Sequence, residues 1–286
     1  MIIDKILKTI WKEFIYGGHL QSLGTVAIIL VSAILLNIKI TWDILFIPYL
    51  LFYPIYLYNR FKELEIDYLT NPQRTEYLKG YINKIPLILS VEIFVLVGSL
   101  IYFANFSSII FALLILLFGF LYSLIFKKIT KKIPLFKNLY VAIFFALVVI
   151  FPVIYYNYPL TTTLTTGLLV LIVFVFLKAV MMQILLDLKD LEGDKKEELL
   201  TFSVIFGKEK TLKFLKPFSV LITASPIILA LYFKIFPLSA NLLLLTILFD
   251  FYCFRLAKED KYSGYLLMSG MFIFWAILIL IGKIIL

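Results

Sequence analysis

Two short stretches concentrate the residues able to do chemistry. In LYNRFKELEIDYLTNPQRTEY, which begins at Leu57, Asn59, Glu63 and Asp67 stand at i, i+4 and i+8. In DLKDLEGDKKEELL, Asp187, Asp190 and Asp194 stand at i, i+3 and i+7. On a helix each set falls on one face. Like charges at these spacings repel, so something cationic is expected to offset them. Carboxylate and amide oxygens suit a hard cation. Mg²⁺ takes one or two protein carboxylates and fills its remaining positions with water and substrate phosphate. Two such faces opposed across a cavity would hold a diphosphate between metal ions. The same spacing admits a plainer reading, a charged rim balanced by Lys62, Lys189, Lys195 and Lys196.

The elements that must position these residues are membrane helices. Of the 286 residues, 63% are hydrophobic and only 16% charged, against about half apolar and a quarter charged in soluble domains. A spanning helix needs about 20 apolar residues. Nine candidate spans run near 20–37, 44–59, 85–104, 108–126, 138–157, 165–187, 214–233, 236–254 and 264–284. The opening stretch MIIDKILKTIWKEFIYGGHL places Lys5, Lys8 and Lys12 between apolar residues. It reads as an amphipathic helix over 1–19 lying on the membrane surface, not as a cleavable signal. The single Cys253 excludes an intrachain disulfide framework.

With the N-terminus inside, 23 of the 27 Lys and Arg fall on the inner side. The outer side receives Lys39, Lys234 and Lys283, and Lys178 lies within a span. This asymmetry predicts an integral membrane protein with its N-terminus and both acid stretches on the cytoplasmic side. The net charge of +9 then mostly reflects topology, with attraction to anionic membrane lipids and anionic substrates as a consequence. The bases are spread over several loops, so a nucleic-acid partner is not expected. The acids behave differently, collecting after the second and the sixth span. Each acid stretch follows a helix running inward, four spans apart. That pattern predicts an all-α polytopic fold around a central cavity, two four-helix halves in parallel repeat plus a ninth helix. Glu92, Lys178 and Asp250 fall within spans, where an ionised group needs a cavity or a partner; Glu92 with Asp250 is one candidate pair.

The two motifs together resemble those of the UbiA-type membrane prenyltransferases. NRFKELEIDYLTNPQR is similar to the family's first acid-rich motif, and DLKDLEGDKKEELLTFSVIFG to the second. LYS at 121–123 with KKIPLFKNLY at 131–140 resembles the Tyr and Lys segment between them. The resemblance covers nearly the whole chain, 1–286, as one membrane-embedded domain. It implies Mg²⁺-assisted transfer of a polyprenyl group from a polyprenyl diphosphate to an aromatic or lipid-like acceptor such as a prenylglycerol phosphate. It implies catalytic roles for Asp67, Asp190 and Asp194, and metal ligation by Asn59, Glu63, Asp67, Asp187, Asp190 and Asp194. Arg60, Arg74, Tyr122 and Lys131 would bind substrate. Two positions depart from the family pattern: Glu63 stands where Asp is usual, and Arg60 where Asp, Gln or another polar residue is common. The first span, reading YGGHLQSLG, lacks the family's Arg and Pro pattern, and its His19 is an interfacial residue or a substrate contact. A transporter or lipid-binding protein is the other class that parallel repeats and buried charges fit. It supplies no reason for two acid ladders at one membrane face.

Overall fold

The computed structural model describes residues 2–285, with side chains from Asp4 onward; Met1 and Leu286 lie outside the described residues. The amphipathic segment forms α1 (Ile2–Tyr16), and its apolar side chains Ile6, Leu7, Ile10 and Trp11 are exposed. At Gly17–Gly18 the chain turns through 66° into α2 (His19–Leu35). Gly18 has φ +114°, and a Cβ there would sit 3.2 Å from the Tyr56 Cβ and 3.4 Å from Arg60 Nη1. Only glycine meets both demands without strain.

The chain continues through α3 (Trp42–Lys62), α4 (Leu64–Thr70), α5 (Pro72–Lys79), α6 (Ile85–Phe103) and α7 (Phe106–Leu124). Then follow α8 (Phe136–Val148), α9 (Phe151–Tyr155), α10 (Thr162–Lys189) and α11 (Leu191–Lys196). The last elements are α12 (Phe202–Tyr232), α13 (Thr246–Lys258), α14 (Tyr262–Ser269) and α15 (Met271–Ile285). No strand occurs among the described residues. The all-α polytopic architecture is as expected.

Among the described residues, five helical segments are individually long and apolar enough to cross a membrane, and two bent pairs raise the number to seven. The other two expected spans are helical but less regular. In α3, Pro48, Pro54 and four tyrosines (Tyr49, Tyr53, Tyr56 and Tyr58) lower the hydropathy. The span expected at 138–157 divides into α8 and α9, with Pro152 at the start of the second piece. The span expected at 264–284 bends by 56° at Gly270. Within α12, Gly207 at φ +75° breaks the helix before its membrane portion.

Side chains such as Phe94, Tyr102 and Phe106 on α6 and α7 are more than three-quarters exposed, which suits a lipid-facing surface. Helices in lipid gain little from burying apolar area against one another, so close packing holds them. Accordingly α10 is central, packing on α8 and α12. Small residues Ala142 and Ala146 on α8 and Ala179 on α10 are buried there.

A buried polar knot adds a directional tie. Lys178 Nζ on α10 meets Asp250 Oδ2 on α13 at 2.5 Å and donates to Thr223 Oγ1 on α12 at 3.2 Å. Ser219 Oγ donates to the same carboxylate oxygen at 2.6 Å. Lys178 and Asp250 are both fully buried, so each needs the other. Asp250 therefore pairs with Lys178, not with Glu92.

Candidate active site

Both acid stretches sit where a long helix ends and a short one begins. α3 stops at Lys62, and Glu63 caps it with φ −102° and ψ 10° before α4 resumes. α10 stops at Lys189, and Asp190 caps it with φ −94° and ψ 10° before α11. The two breaks share one backbone geometry. Backbone bonds still run from Glu63 N to Asn59 O, from Asp67 N to Glu63 O, and from Asp194 N to Asp190 O. The helical register survives the first break, and beyond the second Asp190 O still accepts from Asp194 N. α4 and α11 then pack on each other.

The result is one cavity of about 250 Å³. Asn59, Arg60, Glu63, Asp67, Arg74, Tyr122, Asp187, Asp190 and Asp194 all line it. Its deeper wall is apolar and aromatic, with Phe52, Ile55, Tyr140, Phe144, Phe145 and Leu186. Tyr122 stacks on Tyr140 with ring centroids 5.2 Å apart.

Each acid has a specific partner. Arg74 Nη2 meets Asp67 Oδ2 at 2.7 Å. Lys127 Nζ bridges Glu63 Oε1 at 2.8 Å and Glu197 Oε2 at 2.6 Å, joining the two motifs. Lys137 Nζ lies 2.8 Å from Asp187 Oδ1 and 3.1 Å from both Asp194 oxygens. Asn138 Nδ2 donates to Asp187 Oδ2 at 2.6 Å. Asn71 Nδ2, from the first motif, donates to Asp190 Oδ1 at 3.0 Å. Ser123 Oγ donates to Asn59 Oδ1 at 2.7 Å, and Asn59 Nδ2 donates to Glu63 Oε2 at 3.3 Å.

Burial and charge pull these groups apart in acidity. Burial pushes the Asp194 carboxyl up to about 7; Lys137 pulls it down and Asp187 pushes it up again. Burial likewise raises Glu63, and Lys127 offsets this only in part. Burial would raise Asp190 too, but Lys189, Lys137 and Arg74 hold it below the ordinary carboxylate range. Burial would lower Lys127, yet Glu63 and Glu197 hold it above the ordinary lysine range.

One expected substrate contact lies elsewhere. Lys131 is 45% exposed, sits 3.8 Å from Glu198, and does not line the cavity. The reason is local: Phe126–Lys131 forms a 3₁₀ turn, and Leu135 at φ +63° starts α8 so that Lys137 turns inward instead. Lys127 and Lys137 were not singled out from the sequence. Lys137 did carry a signal, because a cation in the first turn of a helix opposes the helix dipole and calls for an anionic partner. His19 lies outside the cavity lining. Its ring stacks on Tyr53 at 4.5 Å, with Nδ1 2.5 Å from Tyr49 Oη and Nε2 3.4 Å from Glu13.

Six carboxylates line the cavity: Glu63, Asp67, Asp187, Asp190, Asp194 and Glu197. Five cations face them: Arg60, Arg74, Lys127, Lys137 and Lys189. Formal charge is thus nearly balanced, and a polyanionic ligand needs additional cations to enter. Among the described residues no three His, Cys, Asp or Glu side chains converge closely enough to hold a metal by themselves. The donors are all oxygens, and a cation that shares its ligands with a bound phosphate fits them.

The UbiA prenyltransferase family model matches residues 22–278, and the chain belongs to that family. Three solved structures share the fold. A UbiA homolog from Aeropyrum pernix K1, in its apo form, has 15% identity, covers 92% of this chain and 97% of its own, and superposes with a TM-score of 0.71. A UbiA homolog from Archaeoglobus fulgidus bound to GPP and Mg²⁺ has 18% identity, coverage of 96% and 98%, and a TM-score of 0.66. A digeranylgeranylglyceryl phosphate synthase has 20% identity, coverage of 98% and 97%, and a TM-score of 0.58. No curated protein is significantly similar in sequence.

Proposed function

We propose that this protein, acting as one membrane-embedded unit, transfers a polyprenyl group from a polyprenyl diphosphate to an aromatic or lipid-like acceptor. The observation that carries the reading is the meeting of two acid-bearing helix ends over one cavity with an aromatic wall. The diphosphate lies at the charged end and the prenyl chain against Phe52, Ile55 and Phe144. Asn59, Glu63, Asp67, Asp190 and Asp194 would hold Mg²⁺, with Asp187 behind them. When bound, the metal would supply positive charge beside the diphosphate oxygens. Support comes also from the Archaeoglobus fulgidus homolog, which binds GPP and Mg²⁺.

This chain's own residues do the rest. Arg74, Lys127 and Lys137 stand ready to neutralise charge as it builds on the leaving group. The C1–O bond breaks with its electron pair leaving on the diphosphate. The faces of Tyr122, Tyr140 and Phe144 favour the allylic cation that remains. An acceptor carbon or oxygen donates a pair to C1, and the proton it loses passes to the released diphosphate. The apolar wall keeps water away from the cation. The asymmetry of Lys and Arg supports a cytoplasmic diphosphate site.

Purified protein incubated with labelled geranyl diphosphate, Mg²⁺ and a panel of hydroxybenzoate, naphthoate and prenylglycerol phosphate acceptors tests the reading. Labelled product that disappears on chelation is expected. Absence of transfer across the panel, together with absence of Mg²⁺-dependent donor binding, overturns it.

A further inference from the structure

Lys137 takes a position that a hard cation also favours, among carboxylate oxygens. Its Nζ lies 2.8 Å from Asp187 Oδ1 and 3.1 Å from each oxygen of Asp194. Three oxygens of one acid set thus converge on a single charged atom. The fourth, Asp187 Oδ2, accepts from Asn138 Nδ2 at 2.6 Å. The side chains of Asp187 and Asp194 are 2% and 6% exposed and that of Lys137 is 17% exposed, so little water reaches the cluster. The other cavity cations are placed differently. Lys127 runs between the motifs, from Glu63 to Glu197, and Arg74 holds Asp67 alone. Among the described residues, Lys137 is the one base that ties two acids of the same set together.

The backbone holds Lys137 against this pair. Leu135 N donates to Leu200 O at 2.9 Å, and Leu200 N donates to Thr130 O at 3.0 Å. Leu199 N donates to Asp194 O at 2.9 Å. The start of α8 is therefore tied to the loop after α11, which fixes the base of the lysine and leaves its four-carbon stem free to swing. A divalent cation on the same oxygens would stand within a few ångström of the ammonium. Like charges that close repel strongly away from bulk water, so the pair holds one cation or the other. A diphosphate in the same cavity offers the ammonium a competing anion.

We propose that Lys137 is an internal counter-ion, which keeps Asp187 and Asp194 closed to divalent cations until a diphosphate draws its ammonium away, so that metal and donor load together. This rests on the prenyl-transfer reading above. Lys137 is then a positioning residue before donor binding, because it withholds two carboxylates from a metal ion. Once released, its ammonium faces the diphosphate.

Metal binding without turnover tests this. Mn²⁺ would be titrated into the full-length protein in detergent and followed by electron paramagnetic resonance, first without donor. Lys137→Met should bind Mn²⁺ about tenfold or more tighter than wild type, a gain that a merely structural lysine would not give. Adding Asp194→Asn to that variant should abolish the gain, and Lys131→Met should match wild type. If Lys137→Met does not fold, Lys137→Gln keeps a hydrogen-bond donor beside both acids and carries the same comparison. In protein carrying one equivalent of geranyl diphosphate, the difference between wild type and Lys137→Met should shrink to about threefold or less. Wild type that binds Mn²⁺ alone as tightly as the variant overturns the counter-ion role. So does a gain that survives Asp194→Asn, or a difference undiminished by the donor. Wild type that binds no labelled geranyl diphosphate with Mg²⁺ refutes the prenyl-transfer reading instead, whereas donor binding without any gain of Mn²⁺ affinity refutes the counter-ion alone.

Discussion

Lys137 holds Asp187 and Asp194 together, while Lys131, six residues earlier, faces solvent beside Glu198. The two lysines therefore make opposite predictions. Lys137→Met should lower kcat by about 100-fold or more, the scale on which removing a charge-stabilising group acts. Lys131→Met should stay within about twofold of wild type in the same assay. Equal losses would contradict a role for Lys137 that Lys131 does not share. The acids themselves were legible in the sequence, because their spacing and their sorting to one side needed no tertiary information. Their cations were not. Whether Lys127, Lys131 or Lys137 turns inward depends on a 3₁₀ turn and on Leu135 at φ +63°, and neither is written in composition.

At the scale of elements, the helix carrying the second motif is fixed by the Lys178–Asp250 pair, which ties α10 to α12 and α13. Lys178→Met alone should destabilise the protein by about 3–5 kcal/mol, because it strands a buried carboxylate. The double variant Lys178→Met, Asp250→Leu should recover much of that loss. Thermal unfolding in detergent measures both; a double variant no better than the single would show that the pair is not a closed unit. The α1–α2 corner makes a second prediction. Gly18→Val meets a positive φ and the side chains of Tyr56 and Arg60, so it should cost about 1–3 kcal/mol and loosen α1. Limited proteolysis at α1 reads this out. Hydropathy located the helices, but it could not see their breaks. The turns at Glu63 and Asp190, the bend at Gly270 and the split between α8 and α9 come from caps, glycine and proline acting within otherwise apolar runs.

For the molecule as a whole, the asymmetry of Lys and Arg predicts which side each loop faces. Cys253 is fully buried and serves as a silent background for labelling. Single cysteines replacing the exposed Lys195 should react with an impermeant reagent only from the cytoplasmic side, and those replacing Lys39 or Lys234 only from the outer side. The reverse pattern would invert the topology. The central claim, that two helix ends form one Mg²⁺-dependent diphosphate site, has a more direct test. Binding of labelled geranyl diphosphate to purified wild type, Asp67→Asn and Asp194→Asn would be measured with Mg²⁺ and with chelator. Tight binding is expected only in the wild type with Mg²⁺, with a loss of about tenfold or more in each variant. Binding that is indifferent to the chelator, or retained in both variants, would contradict it.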